Sequence, residues 1–422
     1  MTNRGCLSDP AFRQRLRLNP ELLRIAAWAL LALYISGFAI SAASRSQSDF
    51  VIYRNAGLAA LHGKPIYNLH DPSPFQYAPI YAMAFIPLGL IPQRPAQLLW
   101  FALSMALALP LMILGASRLL FGRGFKPGAE LIVIPVLLCV RFIHPNFDHG
   151  QINLLLLAAM VWGFALVNES RPVSGGCLLA ASLLAKPFAL PVLIYLLACK
   201  QFVALLSLVI FVAALILLPS LLLGVGYTAQ ASGNYVTALT TRGVQRSHDL
   251  WNRYNQSSAA LAVRWFTPRA TSLATEKVAA TAGFAFQFAL MMGVIGWLVF
   301  RRGHIAGPDA RLSVAALFCI ATAISPISWL EYYMALAVPY MALAHIAFSA
   351  GESKNRARAA TWVLAIALIF NLGTRLFESA LYGGAAYLGS LIVLAAVLVL
   401  TTMGARASES VPQAETAASL TV

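Results

Sequence analysis

Charge is scarce in this chain, and acidic charge most of all: of 422 residues, 15 are Asp or Glu against 30 Lys or Arg, a formal net charge of +15. The excess of basic residues does not make a nucleic-acid binder, because they stand in short clusters between apolar runs rather than in one stripe. Cysteine is sparse too. Cys6, Cys139, Cys177, Cys199 and Cys319 lie in the N-terminal tail or within or beside apolar runs, and no two form a CxxC. A disulfide framework and a thiolate metal site are thereby set aside. No His or acidic residues occur at spacings such as HxxxH or DxD, and neighbouring Asp148 and His149 are badly placed to chelate together on a helix, so no metal site is expected. There is no GxSxG, no Walker loop and no GxGxxG opening a helix after a strand, which removes nucleotide-binding domains and their cofactors.

What the chain has in abundance is hydrophobic sequence, 59% of residues, arranged in repeated apolar runs. A soluble core cannot hide so many, so the expected fold class is all-α, a polytopic integral membrane protein. Arg4, Arg13, Arg15, Arg17 and Arg24 precede a first run at residues 25–40. This looks like a signal peptide, with Ser41-Ala42-Ala43-Ser44 as a conceivable cleavage site, but the polar front is long and an uncleaved anchor is the preferred reading. Residues 1–24 would then be a cytoplasmic tail, residues 25–403 one transmembrane domain, and residues 404–422 a disordered cytoplasmic tail.

The spacing of Phe50, Tyr53, Ala56, Gly57 and Ala60 predicts an interfacial helix after the first span. Residues 77–92, broken by Pro79, Pro87 and Pro92, read as re-entrant or protein-covered rather than as a span. Lys186-Pro187 interrupts residues 173–199 and predicts a hairpin of short helices with Lys186 at its tip. Spans are expected at 95–116, 131–143, 152–167, 202–223, 278–300, 312–326, 329–350, 359–372 and 384–402. A cytoplasmic N-terminus puts the clusters Arg118 to Lys126, Arg301 to Arg311 and Lys354 to Arg358 inside, with about twelve crossings and outer loops at 45–76 and 224–277.

Polar groups at membrane boundaries must be paired or functional. They are Asp49, His144, Asp148, His149, Gln151, Asn153, Lys186, Arg253, Asn255, Gln256 and Glu331. Asp49, on the stretch 48–57 just beyond the first span, is placed to meet substrates at the interface; in the alternative reading it caps the helix that begins there. Lys186 has snorkelling at a helix end as its alternative, and His149, Gln151 and Asn153 a self-satisfying helix-capping turn.

Asp49-Phe50-Val51-Ile52-Tyr53 with Ala56-Gly57, Gly63-Lys64-Pro65-Ile66-Tyr67, and Phe75-Gln76-Tyr77-Ala78-Pro79 with Pro87-Leu88 follow one another in that order. His149-Gly150-Gln151-Ile152-Asn153-Leu154-Leu155, Ala185-Lys186-Pro187, Asn255-Gln256-Ser257 and Ser325-Pro326-Ile327-Ser328-Trp329 continue the series. This pattern, over residues 25–350, resembles the family 87 glycosyltransferases, and it includes the first span. The resemblance implies a GT-C-type membrane fold and transfer of a sugar, mannose or another hexose or pentose, from a polyprenyl-phosphate donor to a hydroxyl of an envelope glycolipid or glycan. It also implies no cofactor and a bacterial inner-membrane location with the site facing the periplasm or exterior. One departure stands out: where the family usually shows a histidine pair, this chain has Glu331-Tyr332.

Such transfer needs a carboxylate to take the hydroxyl proton, and position and resemblance both point to Asp49. A single base suits inversion, since retention needs an enzyme nucleophile as well. Lys186 and then Arg253 are the candidates for the leaving phosphate. Tyr53, Arg54, His149, Gln151, Asn153, Asn255, Gln256 and Glu331 complete the expected substrate-binding set. Two rivals remain from other classes. A transporter or flippase of lipid-linked sugars would show paired interrupted helices and an inverted repeat, and no repeat is visible. A non-catalytic assembly subunit would leave its outer loop unconstrained, whereas residues 251–256 form a dense polar-aromatic cluster.

Overall fold

The computed structural model describes residues 47–68, 74–245, 247–267, 272–301, 308–322, 327–349 and 351–409, with isolated positions between 25 and 37. The expected first span at 25–40, most of the tail from 404 and the Ser325-Pro326 pair therefore lie outside the described residues or at their margin. Among the described residues the fold is helical throughout; the one β contact is an isolated bridge between Asn255 and Trp329.

A helix forms at the expected place as α1, Ser48–Leu61. The proline-broken stretch after it makes two short helices, α2 (Pro79–Ala84) and α3 (Ile86–Gly89), each with proline in its first turn, where the missing N–H costs nothing. Next come α4 (Gln93–Phe121), α5 (Ala129–Asp148), α6 (Asn153–Asn168) and α7 (Pro172–Ala185). Within α4 the turn widens to π geometry at Leu103–Ala108, immediately before Pro110, whose ring and absent N–H disfavour a regular turn there. A 3₁₀ turn at Pro187–Ala189 leads into α8 (Leu190–Ala198), then α9 (Phe202–Leu223). The segment read as an outer loop is mostly helical: α10 (Val225–Gln245), α11 (Ser247–Trp251) and α12 (Ser258–Phe266). The remainder is α13 (Leu273–Arg301), α14 (Pro308–Ala321), a 3₁₀ segment at Leu330–Leu336, α15 (Ala337–Phe348), α16 (Lys354–Leu376), α17 (Glu378–Tyr382) and α18 (Ala385–Met403).

Six of these helices, α4, α5, α9, α13, α16 and α18, are long and apolar enough to cross a membrane, and α6 and α7 are shorter apolar helices. Among the described residues the stretches expected to span at 312–326 and 329–350 hold a 14-residue helix, Pro308–Ala321, and a 3₁₀ segment that runs directly into a 12-residue helix. At 1.5 Å per residue the 14-residue helix falls short of the roughly 30 Å of a bilayer core, whereas the joined 3₁₀ segment and helix, at about 2.0 and 1.5 Å per residue, reach it.

In lipid the helices gain little from hiding apolar surface, so close backbone approach and polar ties matter more. α7 uses glycine on two faces: a Cβ on Gly175 would stand 2.6 Å from the Gly163 carbonyl oxygen of α6, and one on Gly176 would stand 2.5 Å from the Ala204 carbonyl oxygen of α9. α9 leaves Phe202, Val203, Leu206, Val209 and Ile210 exposed, as a lipid-facing helix should. The main core gathers Phe142, Phe147, Phe164, Phe318, Tyr333 and Tyr340, while a smaller aromatic core of Phe50, Tyr53, Tyr67, Phe75, Tyr77, Phe85 and Trp100 sits under α1.

The polar ties separate into two ends. At one end Arg118 pairs with Glu169, Arg356 reaches Asp309 at 2.7 Å, and Arg311 lies 3.1 Å from the His345 ring nitrogen and over the Phe121 ring. These belong to the basic clusters that the sequence reading placed inside. At the other end lie α1, the end of α5, the α7–α8 break and the 3₁₀ segment at Leu330–Leu336. That end holds the candidate site.

Candidate functional site

The site is built where α5 stops. Helix α5 ends in a Schellman turn: Gly150 N–H donates to the Phe147 carbonyl at 3.1 Å and Gln151 N–H to the Asn146 carbonyl at 2.8 Å. Gly150 has φ +66°, a backbone that glycine adopts without cost, and a Cβ there would press on the Phe50 Cβ at 2.7 Å. Trp100 Nε1 holds the Gly150 carbonyl at 2.7 Å. This turn presents the His149 carbonyl to the start of α1, where it accepts from Asp49 N–H at 2.9 Å and Phe50 N–H at 3.1 Å.

That contact speaks against the capping reading of Asp49. A helix start leaves orphan N–H groups for a capping side chain, but here the His149 carbonyl takes two of them and no side chain caps α1. The Asp49 carboxylate is free to point elsewhere. Its Oδ2 accepts from Gln151 Nε2 at 2.9 Å, and the Ser48 hydroxyl lies 3.3 Å from its Oδ1 and 3.0 Å from His149 Nδ1.

Gln151 Nε2 also donates to Glu331 Oε1 at 2.9 Å. A primary amide nitrogen carries two hydrogens, so one is available for each carboxylate. The bonded oxygens of Asp49 and Glu331 therefore stand within about 6 Å of each other, twice a hydrogen-bond length at most. Asn153 Nδ2 donates to Gln151 Oε1, which fixes the amide with its nitrogen toward the acids. Glu331 and Gln151 are 6% and 9% exposed, so this is a buried polar network in which each missing partner would be costly.

Lys186 meets the same cluster from the α7–α8 break, where its extended backbone (φ −151°, ψ 148°) separates the two helices of the hairpin. Its Nζ stands 4.5 Å from the Tyr332 ring centroid, 5.8 Å from Tyr77 and 6.0 Å from Phe188. Those faces favour a cation. Both Asp49 and Glu331 act electrostatically on the ammonium. Tyr53 closes the floor, its hydroxyl 3.1 Å from that of Tyr77. Burial pushes the Tyr53 phenol well above its ordinary pKa, with the neighbouring Tyr77 phenol adding to the effect, so it stays neutral and cannot serve as a base.

The structure thus brings together Asp49, Tyr53, His149, Gln151, Asn153, Lys186 and Glu331 from the predicted set. It does not bring in the others. Arg54 donates to the Gly89 and Ile91 carbonyls at 3.0 and 2.8 Å, tying α1 to the end of α3 and the chain just after it. Arg253 pairs with Glu378 at 2.7 Å on the surface. Asn255 Oδ1 accepts from the Ser257 and Ser328 N–H groups at 3.1 and 3.0 Å, and Gln256 Nε2 donates to the Arg253 and Leu381 carbonyls at 2.6 and 2.7 Å. With the Tyr333 hydroxyl on the Gln256 carbonyl at 2.6 Å, these residues tie the 252–257 loop to the segment that carries Glu331. Gly57 also emerges as structural, since a Cβ there would stand 2.8 Å from the Phe85 carbonyl carbon.

The profile of Glycosyltransferase family 87 matches residues 75–326, more than half of the chain. The chain belongs to that family. A relative from Mycobacterium tuberculosis (strain CDC 1551 / Oshkosh) is a polyprenol-phosphate-mannose-dependent alpha-(1-2)-phosphatidylinositol pentamannoside mannosyltransferase. It is 29% identical over 171 residues, covering 37% of this chain and 38% of its own length. The family-87 match begins beyond Asp49 and ends short of Glu331, so it covers Gln151 and Lys186 but neither carboxylate.

Proposed function

We propose that the protein is a membrane glycosyltransferase that moves a sugar from a polyprenyl-phosphate donor to a hydroxyl of an envelope glycolipid or glycan. Family membership supports sugar transfer, and the donor named for the mycobacterial relative supports a polyprenyl-phosphate carrier. The observation that carries the reading is the Asp49 carboxylate: released from helix capping, it stands in a buried network beside one ammonium group.

In this reading Asp49 accepts the proton of the acceptor hydroxyl as that oxygen bonds to the anomeric carbon, and the carbon–phosphate oxygen bond breaks on the opposite face with inversion. Gln151 orients Asp49. Lys186, held by aromatic faces, stabilises the charge that develops on the departing phosphate. Glu331, where the family usually shows histidine, shares the Gln151 amide and sets the field around the base. The membrane arrangement that accompanies this reading is GT-C-like, with about twelve crossings when the first apolar run and the shorter apolar helices are counted with the six long ones, both termini cytoplasmic and the site at the periplasmic or exterior face.

The test is Asp49→Asn. Asparagine keeps the size of the side chain and removes the proton acceptor, so the variant should insert and fold while transfer of radiolabelled sugar from polyprenyl phosphate to membrane acceptor falls about a hundred- to ten-thousand-fold. Transfer near the wild-type rate at equal amounts of folded protein would remove the base from this position.

A further inference from the structure

A general base that has taken a proton must lose it again before the next transfer. Around the Asp49 carboxylate the structure offers two directions for that loss. Oδ2 is turned toward Gln151 Nε2 at 2.9 Å, and the same nitrogen leads only to Glu331. A primary amide donates and accepts hydrogen bonds but does not hand protons on at neutral pH. Beyond it Glu331, Tyr53 and Tyr77 are all buried, so this direction is closed to water.

Oδ1 is turned the other way. The Ser48 hydroxyl lies 3.3 Å from it and 3.0 Å from His149 Nδ1, and both Ser48 and His149 are exposed. A hydroxyl carries one hydrogen and two lone pairs, so it can receive a proton on one side while passing its own to the other. Imidazole changes charge near neutral pH and has a second nitrogen from which to release what it receives. The 3.3 Å separation is long for an O–H···O bond, as catalytic hydrogen bonds often are before substrate closes them. The backbone keeps the three groups in register. His149 N–H donates to the Pro145 carbonyl at 3.0 Å, and the His149 carbonyl accepts from Asp49 and Phe50 N–H, so His149 holds the start of α1 through main chain and side chain at once. The other titratable pair at this end of α5, His144 Nδ1 and Asp148 Oδ2, meet each other at 2.8 Å.

We propose that Ser48 and His149 form the proton exit of Asp49, a hydrogen-bonded chain from the half-buried carboxylate to water. As the acceptor oxygen bonds to the anomeric carbon, its O–H bond breaks and the proton goes to Asp49. The protonated Oδ1 then gives it to Ser48 Oγ while the Ser48 hydroxyl gives its own proton to His149 Nδ1. The imidazolium releases one proton from Nε2 to water, and exchange with solvent restores the starting tautomer. One proton leaves per sugar transferred, and the Asp49 charge is regained. Ser48 and His149 act through Asp49 without touching the substrate, and the proposal rests on the function proposed above.

The experiment measures transfer of radiolabelled sugar by the full chain, with kcat and KM separated and imidazole added as a soluble proton acceptor. His149→Ala removes the ring but keeps the backbone carbonyl that holds α1; kcat should fall about a hundredfold, the lower end of what a positioned proton acceptor contributes, with KM for donor and acceptor unchanged. Added imidazole should restore it in proportion to concentration. Ser48→Ala should lose kcat equally and not respond to imidazole, while Ser48→Thr, which keeps the hydroxyl, should stay close to wild type. If His149→Ala does not fold, His149→Gln carries the same expectation for kcat. Wild-type kcat in the folded variant, a loss that imidazole leaves untouched, or a raised KM with kcat unchanged would overturn the exit. Asp49→Asn separates the two proposals: its wild-type transfer would remove the base itself, whereas its inactivity beside a fully active His149→Ala would leave the base in place and sink only the exit.

Discussion

Gly150→Ala puts the whole arrangement under test with one methyl group. The residue has φ +66°, where a side chain costs about 1–2 kcal/mol relative to glycine. The added Cβ would also sit 2.7 Å from the Phe50 Cβ and 2.8 Å from Gln47 Oε1, so α1 must move away from the end of α5. Relief to an ordinary contact near 3.5 Å needs a shift of roughly 1 Å. That shift works directly on the two amide bonds from Asp49 and Phe50 to the His149 carbonyl, and through them on the carboxylate. A misplacement of about 1 Å can cost a hundredfold in rate. The expected result is a moderate loss of thermal stability together with a far larger loss of transfer per folded molecule. Gly233→Ala is the matched control: it lies inside α10 with nothing within 4 Å of the added Cβ, and alanine there should be neutral or stabilising by up to about 1 kcal/mol. The assay is melting in detergent by intrinsic fluorescence, paired with sugar transfer at matched folded protein. Wild-type transfer by Gly150→Ala would refute the argument that this turn aims Asp49.

Gln151→Leu removes the amide that both carboxylates share, and kcat should fall at least tenfold with the folded yield retained; an unchanged kcat would show that the bridge orients nothing catalytic. Lys186→Met should raise the KM for the polyprenyl-phosphate donor and lower kcat, whereas a snorkelling lysine would leave both near wild type in a kinetic comparison. Gly57→Ala should reduce the amount of folded protein recovered by size-exclusion chromatography, because the Phe85 backbone at 2.8 Å cannot yield as a side-chain tip would. Cysteines at the exposed positions Lys64 and Tyr254 should react with an impermeant thiol reagent in intact cells; labelling only after lysis would reverse the orientation.

Sequence alone determined the class of this protein, because apolar runs of membrane length leave the backbone few choices other than helix. It also marked the helix at 48–61, the break at Lys186-Pro187 and the motifs of the family, all of which are local: a proline, a period or a short string of residues suffices to see them. The number of long helices was less legible. Residues 312–326 and 329–350 have the hydropathy of spans, and among the described residues they hold a 14-residue helix and a 3₁₀ segment that runs directly into a 12-residue helix, since composition does not report where backbone geometry changes. Asn255 and Gln256 had the chemistry of sugar-binding amides, and only the tertiary structure shows them engaged with the backbone at Ser328 and Leu381. The same holds for Asp49. Cap and base start alike from an acid at the head of an apolar helix. What removes the cap is a carbonyl a hundred residues later, delivered by the left-handed turn at Gly150, which satisfies the helix amides and leaves the carboxylate to Gln151.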